Sequence, residues 1–196
     1  MIATSTTLLD FLKETRAHSE TICKSLQIED YVVQPIVDVS PPKWHLGHTT
    51  WFFEDFILKK HKSDYQEYNS NFSFVFNSYY ESMGARVVRT DRGNLSRPTV
   101  AEVYAYRKYV THHLTELLEQ TEASEELQSL IEIGIHHEKQ HQELLLTDIK
   151  YILGNNPLQP MYTSDFSEYT PSENKQEWIY KAEGIYEIGH QDDSFC

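Results

Sequence analysis

The stretch from Ser124 to Pro157 constrains the fold more than any other part of the chain. Between Ser124 and Gly154 lie no proline and one glycine, Gly134. Glu125 and Glu126 follow Ser124 and suit the positive end of a helix dipole, while Gly154-Asn155-Asn156-Pro157 is a strong stop. Leu130, Gly134, Leu145 and Ile152 fall on one stripe. A helix of this length with such a stripe must bury it against other elements. The chain as a whole favours long helices, with only 7 glycines and 7 prolines in 196 residues.

Three further segments supply partners. The first is expected from about Thr6 to Leu26, with Leu8, Leu9, Leu12, Ile22 and Leu26 near a 3.6 period. The second is expected to start with Ser40 as N-cap and Pro41 at the first helical position, and to run through Trp44, His48, Trp51, Phe52 and Phe56 to about Lys60. The third opens on a Thr99/Glu102 capping box and carries Val103, Tyr106, Val110, Leu114 and Leu117 on one face. The fold class is therefore all-α, with a long connection, Lys62 to Pro98, between the second and third helices. After Pro157 the helical periodicity stops, and Ile185-Tyr186-Glu187-Ile188-Gly189 reads as a short β segment.

Charge narrows the partners. The chain carries 17 basic and 30 acidic side chains, a net charge of −13. This argues against nucleic acid and anionic membranes, which need clustered Lys and Arg. Yet five of the six arginines lie between Arg86 and Arg107, and Arg86, Arg89, Arg92 and Arg97 all sit on the long connection. That concentration suits a local anion site. The two cysteines, Cys23 and Cys196, read as free thiols. With no basic leader and no apolar run of spanning length, the expected location is the cytoplasm.

The 10 histidines invite a search for a metal site. His137 and His141 are four residues apart in the fourth segment, about 40° from each other on a helix, and lie on its core stripe. A single core histidine is more often a hydrogen-bonded residue than a ligand. Two at this spacing would cost about 1 to 3 kcal/mol each if buried without partners, which favours metal. His136 is rotated about 100° away. A third ligand is available from the second helix, where His48 shares a face with Trp44, Trp51 and Phe52, and His45 lies about 60° to the side. Asp55 and Asp148 return to the faces of His48 and His141 and are candidate acceptors for ligand ring protons, or ordinary surface carboxylates. His137-Glu138-Lys139-Gln140-His141 also matches the zinc-peptidase pattern with Glu138 as base. The glycine and histidine that would extend it are replaced by Leu144 and Thr147, and no sheet edge precedes it.

Four motifs in order carry a resemblance. Ser40-Pro41-Pro42-Lys43-Trp44-His45-Leu46-Gly47-His48-Thr49-Thr50-Trp51-Phe52-Phe53-Glu54, Phe76-Asn77-Ser78-Tyr79-Tyr80-Glu81, Arg92-Gly93-Asn94-Leu95-Ser96-Arg97-Pro98-Thr99 and His137-Glu138-Lys139-Gln140-His141-Gln142-Glu143 resemble the N-terminal domain of ergothioneine-type sulfoxide synthases, the hercynine oxygenases. The resemblance implies a DinB-like four-helix bundle over residues 5–157. It further implies a linker over 158–177 and, over 178–196, the start of a second domain similar to the formylglycine-generating enzyme. It implies an iron(II) site of His48, His137 and His141, with Zn or Ni possible in the isolated domain. The substrates implied are cysteine or γ-glutamylcysteine, histidine betaine and O2, with Arg89 and Arg92, and less directly Arg86, holding the thiol substrate's carboxylates. The family's catalytic tyrosine and betaine-binding residues lie largely in the second domain, so the 196-residue chain is expected to bind metal without turnover. Alternatives are a DinB-like metal-dependent thiol transferase, an ovothiol-type synthase acting on histidine, a bundle that binds metal without catalysis, and a protease.

Overall fold

A computed structural model describes residues 5–78, 85–120, 123–164 and 177–191. Tyr79, Tyr80 and Glu81 of the second motif, most of the expected linker, and residues 192–196 lie outside the described residues. Among the described residues there are six α-helices: α1 (Ser5–Cys23), α2 (Pro42–Phe53), α3 (Lys59–His61), α4 (Phe72–Phe76), α5 (Val100–Gln120) and α6 (Glu125–Gly154). α1, α2, α5 and α6 form the bundle, in which α1 packs on α5 and α6, and α2 also packs on both.

The expected stripes become the core. Val103, Tyr106, Val110 and Leu114 of α5 and Leu12 of α1 are fully buried. On α6 Gly134, Leu145 and Ile152 are buried as expected, Leu130 is partly buried, and Ile131 and Ile135 beside the stripe are fully buried as well. α2 is buried on every side. A helix surrounded in this way has no polar face, so its histidines, threonines and Lys43 must find partners inside the protein.

The helix ends follow their caps, with two differences. Ser124 Oγ accepts from the Leu127 backbone N–H at 3.2 Å, and Thr99 and Glu102 exchange both bonds of the capping box. At α2 the cap is Pro41, and Pro42 is the first helical residue. Ser40 is thereby released from capping and serves the site described below. α1 ends at Cys23, three residues before the expected end, and Leu26 still packs against the core from the turn that follows.

The second segment continues past α2 to His61, but through a π-helical turn at Glu54–Leu58. The buried Glu54 carboxylate accepts from the Tyr65 and Tyr106 hydroxyls and from the Tyr68 backbone N–H. Asp55 pairs with Lys59 at 2.7 Å and accepts from Ser73. These bonds tie the connection after α3 back onto the bundle. Asp55 is thus spent on the connection and is no acceptor for a ligand ring.

Along that connection Phe76 lies directly against Gly47, where a Cβ would stand 2.1 Å from the ring. The Phe76 ring is buried and packed on Phe72 and Tyr106, so it has little room to yield. Gly47→Ala is expected to destabilise the protein by about 1 to 3 kcal/mol, measured as a lower urea midpoint at unchanged m-value.

The expected β segment at 185–189 is not a strand, and no strand occurs among the described residues. Ile185 and Ile188 are fully exposed. A single extended segment has no ladder to join, so its sequence alternation alone cannot make it a strand. No helix among the described residues is long and apolar enough to cross a membrane.

Candidate metal centre

α2 and α6 bring three histidines together. One ring nitrogen from each of His48, His137 and His141 lies within 4.8 Å of the other two. The ring centroids are 5.0 Å apart for His48 and His137, and 4.7 Å for both other pairs. The 3.6-residue repeat accounts for the pair on α6, while the packing of α2 against α6 supplies the third.

The surroundings favour neutral imidazoles, the form that binds metal. Burial, followed by the neighbouring His137, holds His48 well below the usual histidine range. Burial lowers His137 to about 4. His141 is also depressed, first by burial and then by His45, His48 and His137.

His48 Nδ1 lies 2.6 Å from the Phe76 carbonyl, which can only accept, so Nδ1 carries the proton and Nε2 keeps its lone pair. His137 Nδ1 is buried with no hydrogen-bond partner. An orphaned imidazole nitrogen in a cluster of three neutral imidazoles fits a bound divalent metal better than it fits a packed core. Three such donors leave coordination positions open.

His45 is buried, and its ring reaches His141 on one side and Asp148 on the other, at 2.9 and 2.8 Å. It belongs to the site but not to the three-nitrogen group. Asp148 touches His45 and the Ser40 backbone N–H rather than a ligand ring. His136 lies away from the cluster, edge-on to Phe11.

Glu138 faces a different side of α6, about 100° from His137. Its carboxylate accepts from Arg16 at 2.9 Å, Arg107 at 2.8 Å and Ser19 at 2.7 Å, with all four side chains buried. Burial alone would raise its pKa, but the two guanidiniums hold it at about 2. A carboxylate bound in this way cannot act as the base of a peptidase. The peptidase pattern in the sequence is therefore a coincidence of spacing.

The histidines open onto a cavity of about 450 Å³ whose wall includes Arg89, Arg92, Ser40 and Ser78. Arg92 is 5% exposed, and its guanidinium stacks 3.4 Å from the centre of the Trp44 ring. Its two terminal nitrogens donate to Ser40 Oγ and Ser78 Oγ. The Trp44 ring also stacks on His48, with centroids 4.6 Å apart. Arg89 donates to the Asp38 carbonyl at 2.6 Å. Arg86 donates to the Ser78 carbonyl and is not on the cavity wall. Arg97 bonds the neighbouring Ser96 carbonyl at the surface.

A family model described as the DinB superfamily matches residues 12–145, more than half of the chain. The chain belongs to the DinB superfamily. No curated protein matches it. The matched range contains His48, His137 and His141, the three histidines that could hold a metal ion.

Sequence reasoning missed the role of Ser40, which looks like a helix cap, and of Phe76, which contributes only a backbone carbonyl. The neighbouring Ser40-Pro41-Pro42 is the one available signal for the first. A carbonyl acceptor leaves no trace in side-chain identity.

Proposed function

We propose that this DinB domain is the iron-binding part of a sulfoxide synthase of the ergothioneine type. The reaction joins the sulfur of cysteine or γ-glutamylcysteine to the imidazole carbon of histidine betaine. The thiol S–H and the ring C–H are lost, one oxygen of O2 ends on sulfur, and the other leaves as water. The observation that carries this reading is the shared cavity, where three neutral imidazoles and two arginines line one wall. Iron(II), when bound, supplies open positions at which thiolate, imidazole and O2 can meet and O2 can be reduced.

The chain's own residues bind and orient. His48, His137 and His141 present neutral donors without having to shed protons at neutral pH. Arg92 is fixed on Trp44 and by two serine hydroxyls before any substrate arrives, so little rotamer freedom remains to be lost on binding. A guanidinium held at this spot suits the carboxylate of an amino-acid thiol. Arg89, anchored by the Asp38 carbonyl, adds positive charge on the same wall. The 196-residue chain is proposed to bind metal and thiol without turnover, in the cytoplasm, with the remaining catalytic groups supplied by a second domain.

The test is anaerobic iron loading followed by titration with cysteine and γ-glutamylcysteine. Arg92→Ala is expected to weaken thiol binding at least about tenfold, because a charge-assisted hydrogen bond is worth about 1.5 to 3 kcal/mol. Arg92→Lys should recover only part of it, since an ammonium cannot stack and fork as a guanidinium does. Equal thiol affinity in all three proteins would overturn the anion role. Full-rate O2 consumption by the 196-residue chain with thiol and histidine betaine would overturn its proposed inactivity.

A zinc- or nickel-dependent thiol transferase is the second reading, favoured by the all-imidazole donor set, which suits Zn, Ni and Fe alike. Zinc or nickel retained after anaerobic purification, with no thiol-dependent O2 uptake by the intact protein, would select it.

A further inference from the structure

His45 and Asp148 lie beside the metal ligands without joining them, and their hydrogen bonds have a direction. Asp148 Oδ2 accepts from the Ser40 backbone N–H at 2.9 Å and lies 2.8 Å from His45 Nε2. His45 Nδ1 lies 2.9 Å from His141 Nδ1. Both histidine nitrogens in that last contact cannot be donors if His45 is neutral and bonded to a carboxylate. A carboxylate oxygen accepts, so His45 Nε2 carries the proton and His45 Nδ1 is left with its lone pair. His141 Nδ1 must then donate to it, and the lone pair of His141 rests on Nε2. The reverse arrangement would set a bare His45 Nε2 against a carboxylate oxygen at 2.8 Å, which is repulsive. A doubly protonated His45 would donate to His141 Nδ1 and leave the proton on His141 Nε2, the nitrogen turned away from His45, and so is incompatible with His141 as a ligand.

We infer that Asp148 and His45 form a two-residue positioning chain that sets the tautomer of His141, so that Nε2 is the nitrogen offered to the metal. The chain gives His141 an anionic anchor reached through one imidazole. The other two ligands differ, since His48 Nδ1 bonds a neutral backbone carbonyl and His137 Nδ1 has no hydrogen-bond partner. Of the three ligands, His141 is the one tied through a second imidazole to a buried carboxylate. Asp148 is placed for this by both bundle halves. It lies seven residues beyond His141 on α6, two helical turns away on nearly the same face, and its oxygen is held by the backbone that leads into α2. His45 bridges the gap because it lies one turn before His48 on α2. This inference rests on the three-histidine metal reading but not on any particular reaction.

The test uses Zn²⁺ as probe and two readouts. In zinc-loaded, ¹⁵N-histidine-labelled wild type, long-range ¹H–¹⁵N correlation is expected to show His141 metallated at Nε2 and protonated at Nδ1, with neutral His45 protonated at Nε2. By chelator competition, Asp148→Asn is expected to bind Zn²⁺ about tenfold more weakly and Asp148→Ala up to about 100-fold more weakly. Asn keeps an oxygen able to accept both hydrogen bonds, removes the charge and replaces the other oxygen by an NH2 donor, so its melting temperature without metal reports whether packing survives. If Asp148→Ala does not fold, Asp148→Asn and the wild-type spectrum still decide. Metallation of His141 at Nδ1, or Zn²⁺ affinity of a folded Asp148→Asn protein within twofold of wild type, would overturn the positioning chain. Those results leave the metal centre standing. Absence of Zn²⁺ binding by the wild type would overturn the centre and the chain together, whereas zinc binding without thiol-dependent O2 chemistry would leave the chain intact and remove only the sulfoxide synthase reading.

Discussion

Glu138→Ala is expected to lose about 3 to 5 kcal/mol of folding stability, about a fifth or more of what a domain of this kind commonly has. The carboxylate joins α6 to Arg16 on α1 and Arg107 on α5, and all three side chains are fully or almost fully buried. Removing it leaves two guanidiniums in the interior with no countercharge between them. Their remaining partners are neutral or distant: Arg16 donates to Thr50, Thr111 and a backbone carbonyl, and Arg107 reaches Glu20 only at 3.4 Å. Arg16 already shows the strain of two cations sharing one anion, since burial and then Arg107 lower it to about 10. Glu138→Gln should recover part of the hydrogen bonding and none of the charge. The pH dependence has a definite sign. A carboxyl depressed to about 2 in the folded protein stabilises it fully above its unfolded value of 4.5, and that stability drains away as pH falls from 4.5 towards 2. Urea unfolding of wild type and Glu138→Gln at pH 7 and pH 3 checks both points. The gap between the proteins should narrow at the lower pH. A gap equal at both values, or Glu138→Ala as stable as wild type, would refute the account.

His137→Ala and His141→Ala are expected to reduce Zn²⁺ or Fe²⁺ affinity by at least about 100-fold, because each removes one of three protein donors. Their effect on the metal-free protein should be far smaller than that of Glu138→Ala. Neither imidazole is fully buried, and His137 Nδ1 has no partner to lose. His136→Ala is the matching control, one residue from His137 and turned to Phe11, and should leave metal affinity unchanged. Calorimetric titration with Zn²⁺, paired with melting curves without metal, separates loss of the site from loss of the fold. If His136→Ala weakened binding as much as His137→Ala, the assignment of the face would be wrong.

The adjacent positions Glu138 and His137 show how far sequence carries. Helical geometry places them about 100° apart, so they must face different surroundings. The core stripe identified the face of His137 and His141, and the same periodicity found the buried faces of α5 and α1. What periodicity could not provide was the partner opposite each face. Arg16 is 122 residues from Glu138 in sequence, and nothing local to either residue announces the pairing. Hence Glu138 resembles the base of a peptidase in the sequence and proves to be the centre of a buried ion cluster.

The long connection divides in the same way. Its arginine concentration was visible in the composition, and Arg92 and Arg89 do reach the wall of the histidine cavity. Which arginines do so, and which bond back to the chain as Arg86 and Arg97 do, depends on how the connection is tied down. The Glu54 and Asp55 bonds made around the π-helical turn do much of that tying, and a π-helical turn leaves no periodic mark in five residues.

By itself the sequence determined an all-helical bundle, the start of α5, both ends of α6, and the face that His137 and His141 share, because these depend on backbone periodicity and on caps a few residues long. Only the tertiary structure decided that His45 serves His141 rather than a metal, that Asp148 rather than Asp55 anchors the site, and that Ser40 holds an arginine instead of a helix end. Those outcomes depend on the rotation and separation of helices distant in sequence, which are fixed by how whole faces pack and not by any local residue pattern.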